Sequence, residues 1–279
     1  MAGFLLSWES SDSGLAPLLR ITGADCYRVW CNGRHAGYGP ARAAHGFSRV
    51  DEWPLRGLIQ EGENLLAIEV ASCGIDSYAY AMQPPFLQAE VLIDDTVLAA
   101  TCEDSKARPL TERVQKVERF SKQRPFAEAY RLTPGCQDWR IGGDGRRTGE
   151  CERVDQPQLL PRWVRRPNFA CVQALAVVAR GRVVQQDPVP PIPRSAQRDG
   201  VGKRVMGYPV DELEIDMTAE LNQMAFREGS SETISLDEAA EHRIEEGSFR
   251  LYDFGIVQGG FLGIRLQCEQ AGRVYLAFD

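Results

Sequence analysis

CYRVWCNGRHAGYGPARAAHG, residues 26–46, is the stretch on which the fold turns. Its first six residues alternate. Tyr27 and Val29 point one way, Arg28 and Trp30 the other, the period of two expected of a strand with unlike faces. Asn32-Gly33 follows, and an Asn-Gly pair supplies the positive φ angles of a tight hairpin turn. HAGYG, residues 35–39, can then return as the partner strand, and Gly39-Pro40 breaks the ladder because proline has no N–H to donate. The crowded glycines do not make a phosphate cradle. G-x-G-x-x-G spacing and G-K-[ST] are both missing, and no helix opens behind them to converge N–H groups on an anion.

Working outward, the same pattern recurs. LLAIEVAS, residues 65–72, is entered from the turn EGEN and sets Leu66, Ile68 and Val70 on one face. FLQAEVLI, residues 86–93, turns at Asp94-Asp95 into TVLAATC. Short strands with turn signals every 8–12 residues or so read as a sandwich or barrel. The middle is irregular: a short helical turn is possible near residues 108–130, and residues 133–150 are loop by composition. Prolines at 157, 161 and 167 make residues 157–168 read as a linker.

Beyond the linker, ACVQALAVVARGRVVQQDPVPP reads as a hairpin about Arg180-Gly181, and residues 212–221 as a strand. ISLDEAAEHRIEEG is the one plausible helix, although SETISL suits a strand equally well. SFRLYDFG and the closing GGFLGIRLQCEQAGRVYLAFD read as three strands, the last two joined by EQAGR. The class is all-β with two β-sandwich domains, residues 1–156 and 157–279. The last residues stop inside an apolar strand, which points to a longer polypeptide.

Composition narrows the functions. The chain has 279 residues, 43% hydrophobic and 25% charged, the balance of a globular protein. Its net charge of −7 offers no broad positive field, so nucleic acid is not an expected partner. No apolar run reaches the roughly 18–20 residues that span a bilayer, so no membrane partner is expected. The start lacks the basic segment of a secretory signal, and a cytoplasmic location is expected. The eight cysteines form no C-x-x-C pair and read as free thiols.

Candidate chemistry is sparse. His35, His45 and His242 bring no third ligand with metal spacing, so no metal or other cofactor is expected. No G-x-S-x-G elbow is present, and no cysteine has a histidine nearby to activate it. Carboxylates abound, but a glycosidase needs two of them about 5–9.5 Å apart, and nothing in the sequence selects a pair. Aromatic residues carry the remaining signal. Trp30 and Trp53 read as core. Tyr78 and Tyr80, in the loop GIDSYAYAMQPP, stand evenly between packing and ligand contact.

Residues 27–72 resemble the jelly-roll, galactose-binding-like domain of glycoside hydrolases. A strand ending in Asn-Gly, a long loop, and then G-x-N-x-L-A-I-x-V is similar to the bacterial α-L-rhamnosidases. FAEAYRLTPGCQDW resembles the family's segment after that sandwich. It keeps Glu128, Tyr130 and Trp139 but has Arg131-Leu132-Thr133 where the family often has Asp-Ala-Arg. YDFGIVQGGFLGIRLQCEQAGRVYLAF resembles a strand of a second sandwich lying just ahead of the catalytic barrel. The resemblance covers residues 24–139 and 249–279.

It implies a non-catalytic, N-terminal portion of a rhamnosidase-like glycoside hydrolase, because the helical barrel that carries the family's catalytic acids has no counterpart here. The implied partners are that catalytic domain and a rhamnoside or related carbohydrate. Tyr38, Arg42 and His45 are the first candidates for sugar contacts, followed by Tyr78 and Tyr80. An arginine fork donates to two hydroxyls and a tyrosine offers a ring face. No residue is assigned a catalytic role. An autonomous carbohydrate-binding module is the rival reading, and a complete enzyme with an unfamiliar site is a third.

Overall fold

The computed structural model describes residues 1–76, 81–102, 104–119, 126–143, 149–155, 157–166, 170–191, 207–230, 233–236, 243–257 and 259–277. The chain divides into two compact units, one of residues 1–167 with 189–223, the other of 168–188 with 224–279. The class is all-β.

The first unit holds ten strands: β1 (Ala2–Ser10), β2 (Leu18–Gly23), β3 (Cys26–Cys31), β4 (Arg34–Gly39), β5 (Phe47–Pro54), β6 (Gly62–Ala71), β7 (Leu87–Ile93), β8 (Thr96–Ala100), β9 (Arg108–Pro109) and β10 (Gln158–Pro161). They form two five-stranded sheets, ordered β4-β3-β6-β1-β9 and β10-β5-β2-β7-β8. The hairpin expected at Asn32-Gly33 is present, with φ of 49° and 76° at the two turn residues. Both values lie in the left-handed region a two-residue hairpin turn requires.

Alternation builds the core. Tyr27, Val29 and Cys31 on β3, and Leu66, Ile68 and Val70 on β6, face Leu19, Ile21, Trp53, Ala89 and Val91 of the other sheet in one buried cluster. Two sheets sharing a single apolar layer make a sandwich. The outer face of the first sheet is also covered. Trp139, in a single 3-10 turn at Asp138–Ile141, packs with Ala67 and Leu110. That second layer is why Leu66–Val70 is buried without interruption, Ala67 and Glu69 included.

Several local expectations change. Residues 157–168, read as a linker, contribute β10, which pairs in parallel with Phe47–Val50 of β5. Pro161 closes that strand at the sheet edge, where a missing N–H costs no ladder bond. Residues 212–221, read as a strand, instead form a 3-10 turn at Val210–Glu212 and helix α1 (Met217–Asn222). Asp216 is the reason: its side chain accepts the Ala219 N–H at 3.0 Å and caps the helix start.

The third change lies in the second unit, where β11 (Ala176–Gln185) runs straight through the expected Arg180-Gly181 turn. It pairs with β12 (Met224–Ser230), β13 (Ile234–Ser235) and β14 (Ser248–Asp253). The register shifts between Arg180 and Gly181, and a Cβ at 181 would overlap the Arg227 carbonyl. The glycine is there for a bulge and a close backbone approach.

The described residues of the second unit thus hold one sheet. Residues 254–257 and 259–277, read in part as strands, carry no ladder among the described residues. Phe261, Leu262, Ile264, Leu266, Val274 and Leu276 are correspondingly 44–53% exposed. Alternation prepares one face of a strand, but a ladder needs a partner edge. Of the expected helix, residues 237–242 lie outside the described residues, and Ile234–Ser235 is strand.

Candidate functional site

The polar centre of the first unit lies where β4 and β5 approach. Asp51, on β5, is fully buried. It accepts a hydrogen bond from the Tyr27 hydroxyl at one oxygen and from Arg162 Nη1, at 2.7 Å, at the other. Trp53 Nε1 donates to the Tyr27 oxygen at 3.0 Å. Burial, then the Asp51 charge and hydrogen bond, push the Tyr27 phenol far above its ordinary pKa. A Cβ at residue 39 would overlap the Asp51 carboxylate and the Tyr27 hydroxyl, and one at residue 37 the Trp53 indole. The glycine spacing of HAGYG is therefore a packing requirement of this network.

Outside the network lies a cationic and aromatic surface. The Arg166 guanidinium sits 4.8 Å from the Trp53 ring centroid, and the half-buried Tyr38 ring lies 6.5 Å from the same indole, tilted by 32°. Arg42 and His45 are exposed on the loop that follows β4. Arg49 ties that loop to β10, donating from Nε to the Arg42 carbonyl at 3.0 Å and from Nη1 to the Pro161 carbonyl at 3.1 Å. Trp163, just past β10, is 85% exposed. Tyr38, Arg42 and His45 thus share one strand and its loop, whereas Tyr78 and Tyr80 lie outside the described residues. Asp51 is one of the many carboxylates among which the sequence selects no pair, and Arg162, Trp163, Arg165 and Arg166 are not singled out by it at all. The signal for the last four is the string RWVRR, which the flanking Pro161 and Pro167 make look like part of a linker.

A second ionic cluster covers the outer face of the first sheet. Glu69, 3% exposed, is bound by Arg28 at one oxygen and by Arg140 Nη2 at 3.1 Å at the other. Arg140 also lies 3.8 Å from the Trp30 ring centroid, and His35 meets that ring edge-on at 6.0 Å. Burial, then the charges of Arg28 and Arg140, hold the His35 imidazole below its usual pKa. Of the residues matched to the family segment, Trp139 is core, while Tyr130 donates to Glu128 at 2.6 Å.

All eight cysteines are free thiols. Burial pushes Cys31 and Cys73 up to about 11, away from nucleophilic chemistry. Among the described residues, no three His, Cys, Asp or Glu side chains gather as metal ligands. Also among them, no helix is long and apolar enough to cross a membrane. An open-mouthed cavity of about 370 Å3 lies between β1 and β8, lined by Leu5, Ser7, Ala99, Cys102 and Lys106 among others, and apart from Tyr38, Arg42 and His45.

No family model matches the chain, and no curated protein matches its sequence. Solved structures do match. The GH78 family rhamnosidase of Bacillus sp. GL1 aligns over 71% of this chain and 22% of its own, with 21% identity and a TM-score of 0.50. The α-L-rhamnosidase of Dictyoglomus thermophilum aligns over 67% and 24%, with 15% identity and a TM-score of 0.41. That of Aspergillus terreus aligns over 65% and 24%, with 16% identity and a TM-score of 0.40. The chain therefore spans about a quarter or less of the rhamnosidase chains it matches, and its likeness to the Bacillus structure is one of fold.

Proposed function

We propose that this chain is a non-catalytic portion of an α-L-rhamnosidase-like glycoside hydrolase, bracing a catalytic barrel and lending it carbohydrate contacts. One observation carries the reading: its fold follows about a fifth of a GH78 rhamnosidase over 71% of the present residues. The chemistry supports it. Of the four buried carboxylates among the described residues, Asp51 and Glu69 are held by arginine, Asp25 accepts from the Cys73 N–H and Glu118 accepts from Thr218, so each is engaged within the fold rather than paired across an open cleft as glycoside hydrolysis needs. The half-exposed apolar residues 261–276 of the second unit suit a surface that meets another protein body. The exposed Trp163 favours the rival, an autonomous carbohydrate-binding module.

Two measurements test the proposal. The purified chain should release no aryl leaving group from an aryl α-L-rhamnoside, and measurable turnover would overturn the non-catalytic assignment. The chain should raise the melting temperature of a rhamnosidase-like helical barrel produced alone. A barrel that melts identically with and without it would overturn the bracing role and leave the module reading.

A further inference from the structure

Residues 40–50 and 158–166 are adjacent through the parallel β5–β10 pairing and the Arg49 clamp. Together they carry Arg42, Arg49, Arg162, Arg165 and Arg166, with His45, and not one acidic residue, in a chain whose net charge is −7. Of the two carboxylates that follow on β5, Asp51 takes Arg162 out of the surface into a buried pair, and Glu52 pairs with Arg20 on β2 at 3.1 Å. Neither Arg165 nor Arg166 has a carboxylate partner among the described residues, and Arg166 is held against Trp53. Trp163 stands 85% exposed between Arg162 and Val164. A guanidinium surface with no acids, carrying an exposed indole, combines a donor set for anions with a stacking face.

We infer that this surface binds an acidic polysaccharide, with uronate carboxylates on Arg165 and Arg166 and a sugar ring on Trp163. The inference rests on the carbohydrate-contact part of the proposed function and names the class of glycan. Charge geometry favours a glycan over the other polyanions. A globular acidic partner would also meet the rest of this acidic surface and be repelled by it. Duplex nucleic acid carries a charge every ~1.7 Å of its axis and needs a long basic track. A polyuronate carries one charge per acidic sugar, and a patch of this size suffices for it.

The test is affinity electrophoresis and calorimetric titration of the full chain with polygalacturonate at low and high salt. Dextran serves as the neutral glycan and single-stranded DNA as the alternative polyanion. Retardation by polygalacturonate at low salt is expected, falling at least tenfold on raising the salt. Arg165→Gln and Trp163→Ala should each weaken binding about tenfold while leaving the melting temperature unchanged, because both side chains are exposed. Arg182→Gln, a charge-matched change on β11, should bind as the native chain does. The inference is overturned by an absence of polygalacturonate binding at low salt. It is equally overturned by undiminished binding in Arg165→Gln, or by equal affinity for dextran or DNA. Any of these with aryl-rhamnoside turnover still absent removes the acidic-glycan assignment alone, whereas turnover by the chain removes the non-catalytic reading itself.

Discussion

Arg162→Met is the sharpest probe of the first unit. Methionine keeps most of the apolar stem and removes the guanidinium, so the change is one of charge rather than packing. Asp51 has no exposed surface, while the Arg162 side chain is 12% exposed. Without Arg162, the carboxylate keeps the Tyr27 hydroxyl as its donor and loses its counter-ion. Stranding a buried charge in this way costs about 3–5 kcal/mol. With a urea slope of about 2 kcal/mol/M, the unfolding midpoint should fall by roughly 1.5–2.5 M. Asp51→Asn should cost less, because the arginine it frees can turn to water and asparagine still accepts from Tyr27. The double variant should recover at least half of the Arg162→Met loss, since nothing charged is then left buried. Equilibrium urea unfolding followed by tryptophan fluorescence reads all four proteins. A midpoint shift below about 0.5 M for Arg162→Met, or a double variant no more stable than that single one, would refute the claim that this ion pair anchors β10 to the sandwich.

Three further outcomes are expected. Gly181→Ala places a Cβ on the Arg227 carbonyl and should destabilise the second unit by about 1–3 kcal/mol; hydrogen exchange should quicken in β12 and stay unchanged in β3, and uniform quickening of both would contradict the division into two units. The His35 pKa is depressed in the folded state, so the stability His35 contributes is present above its unfolded value of 6.5 and lost as pH falls below it; the ring is exposed at one face, so the effect is small, but the melting temperature of His35→Gln should fall less than that of the native chain between pH 7 and pH 5, and parallel curves would dismiss the desolvation of that ring against Trp30 and its repulsion by Arg28 and Arg140. Iodoacetamide at pH 8 should modify the exposed Cys102, Cys171 and Cys268 well before Cys31, whose thiol burial raises to about 11; early labelling of Cys31, read by peptide mass spectrometry, would place it outside the core.

Local chemistry alone determined a good deal of this protein. Strict alternation at Tyr27/Val29 and at Leu66/Ile68/Val70, with Asn32-Gly33 between matching strands, specified the hairpin and its inward faces, because period and turn geometry are properties of a few adjacent residues. The same local reasoning put Tyr38, Arg42 and His45 on one strand and its loop. It failed wherever a distant partner decides. Prolines made residues 157–168 look like a linker, yet β5 offers an open edge that accepts β10 in parallel. Gly181 looked like a turn until β12 came close enough to forbid a Cβ. Asp51 was one carboxylate among many, and only the fold brings Arg162 to it across 111 residues. Hydrogen-bond partners on a sheet edge and the counter-ion of a buried charge are non-local quantities, so the ion pair and the cationic surface around it became visible only once the tertiary structure had closed the sandwich.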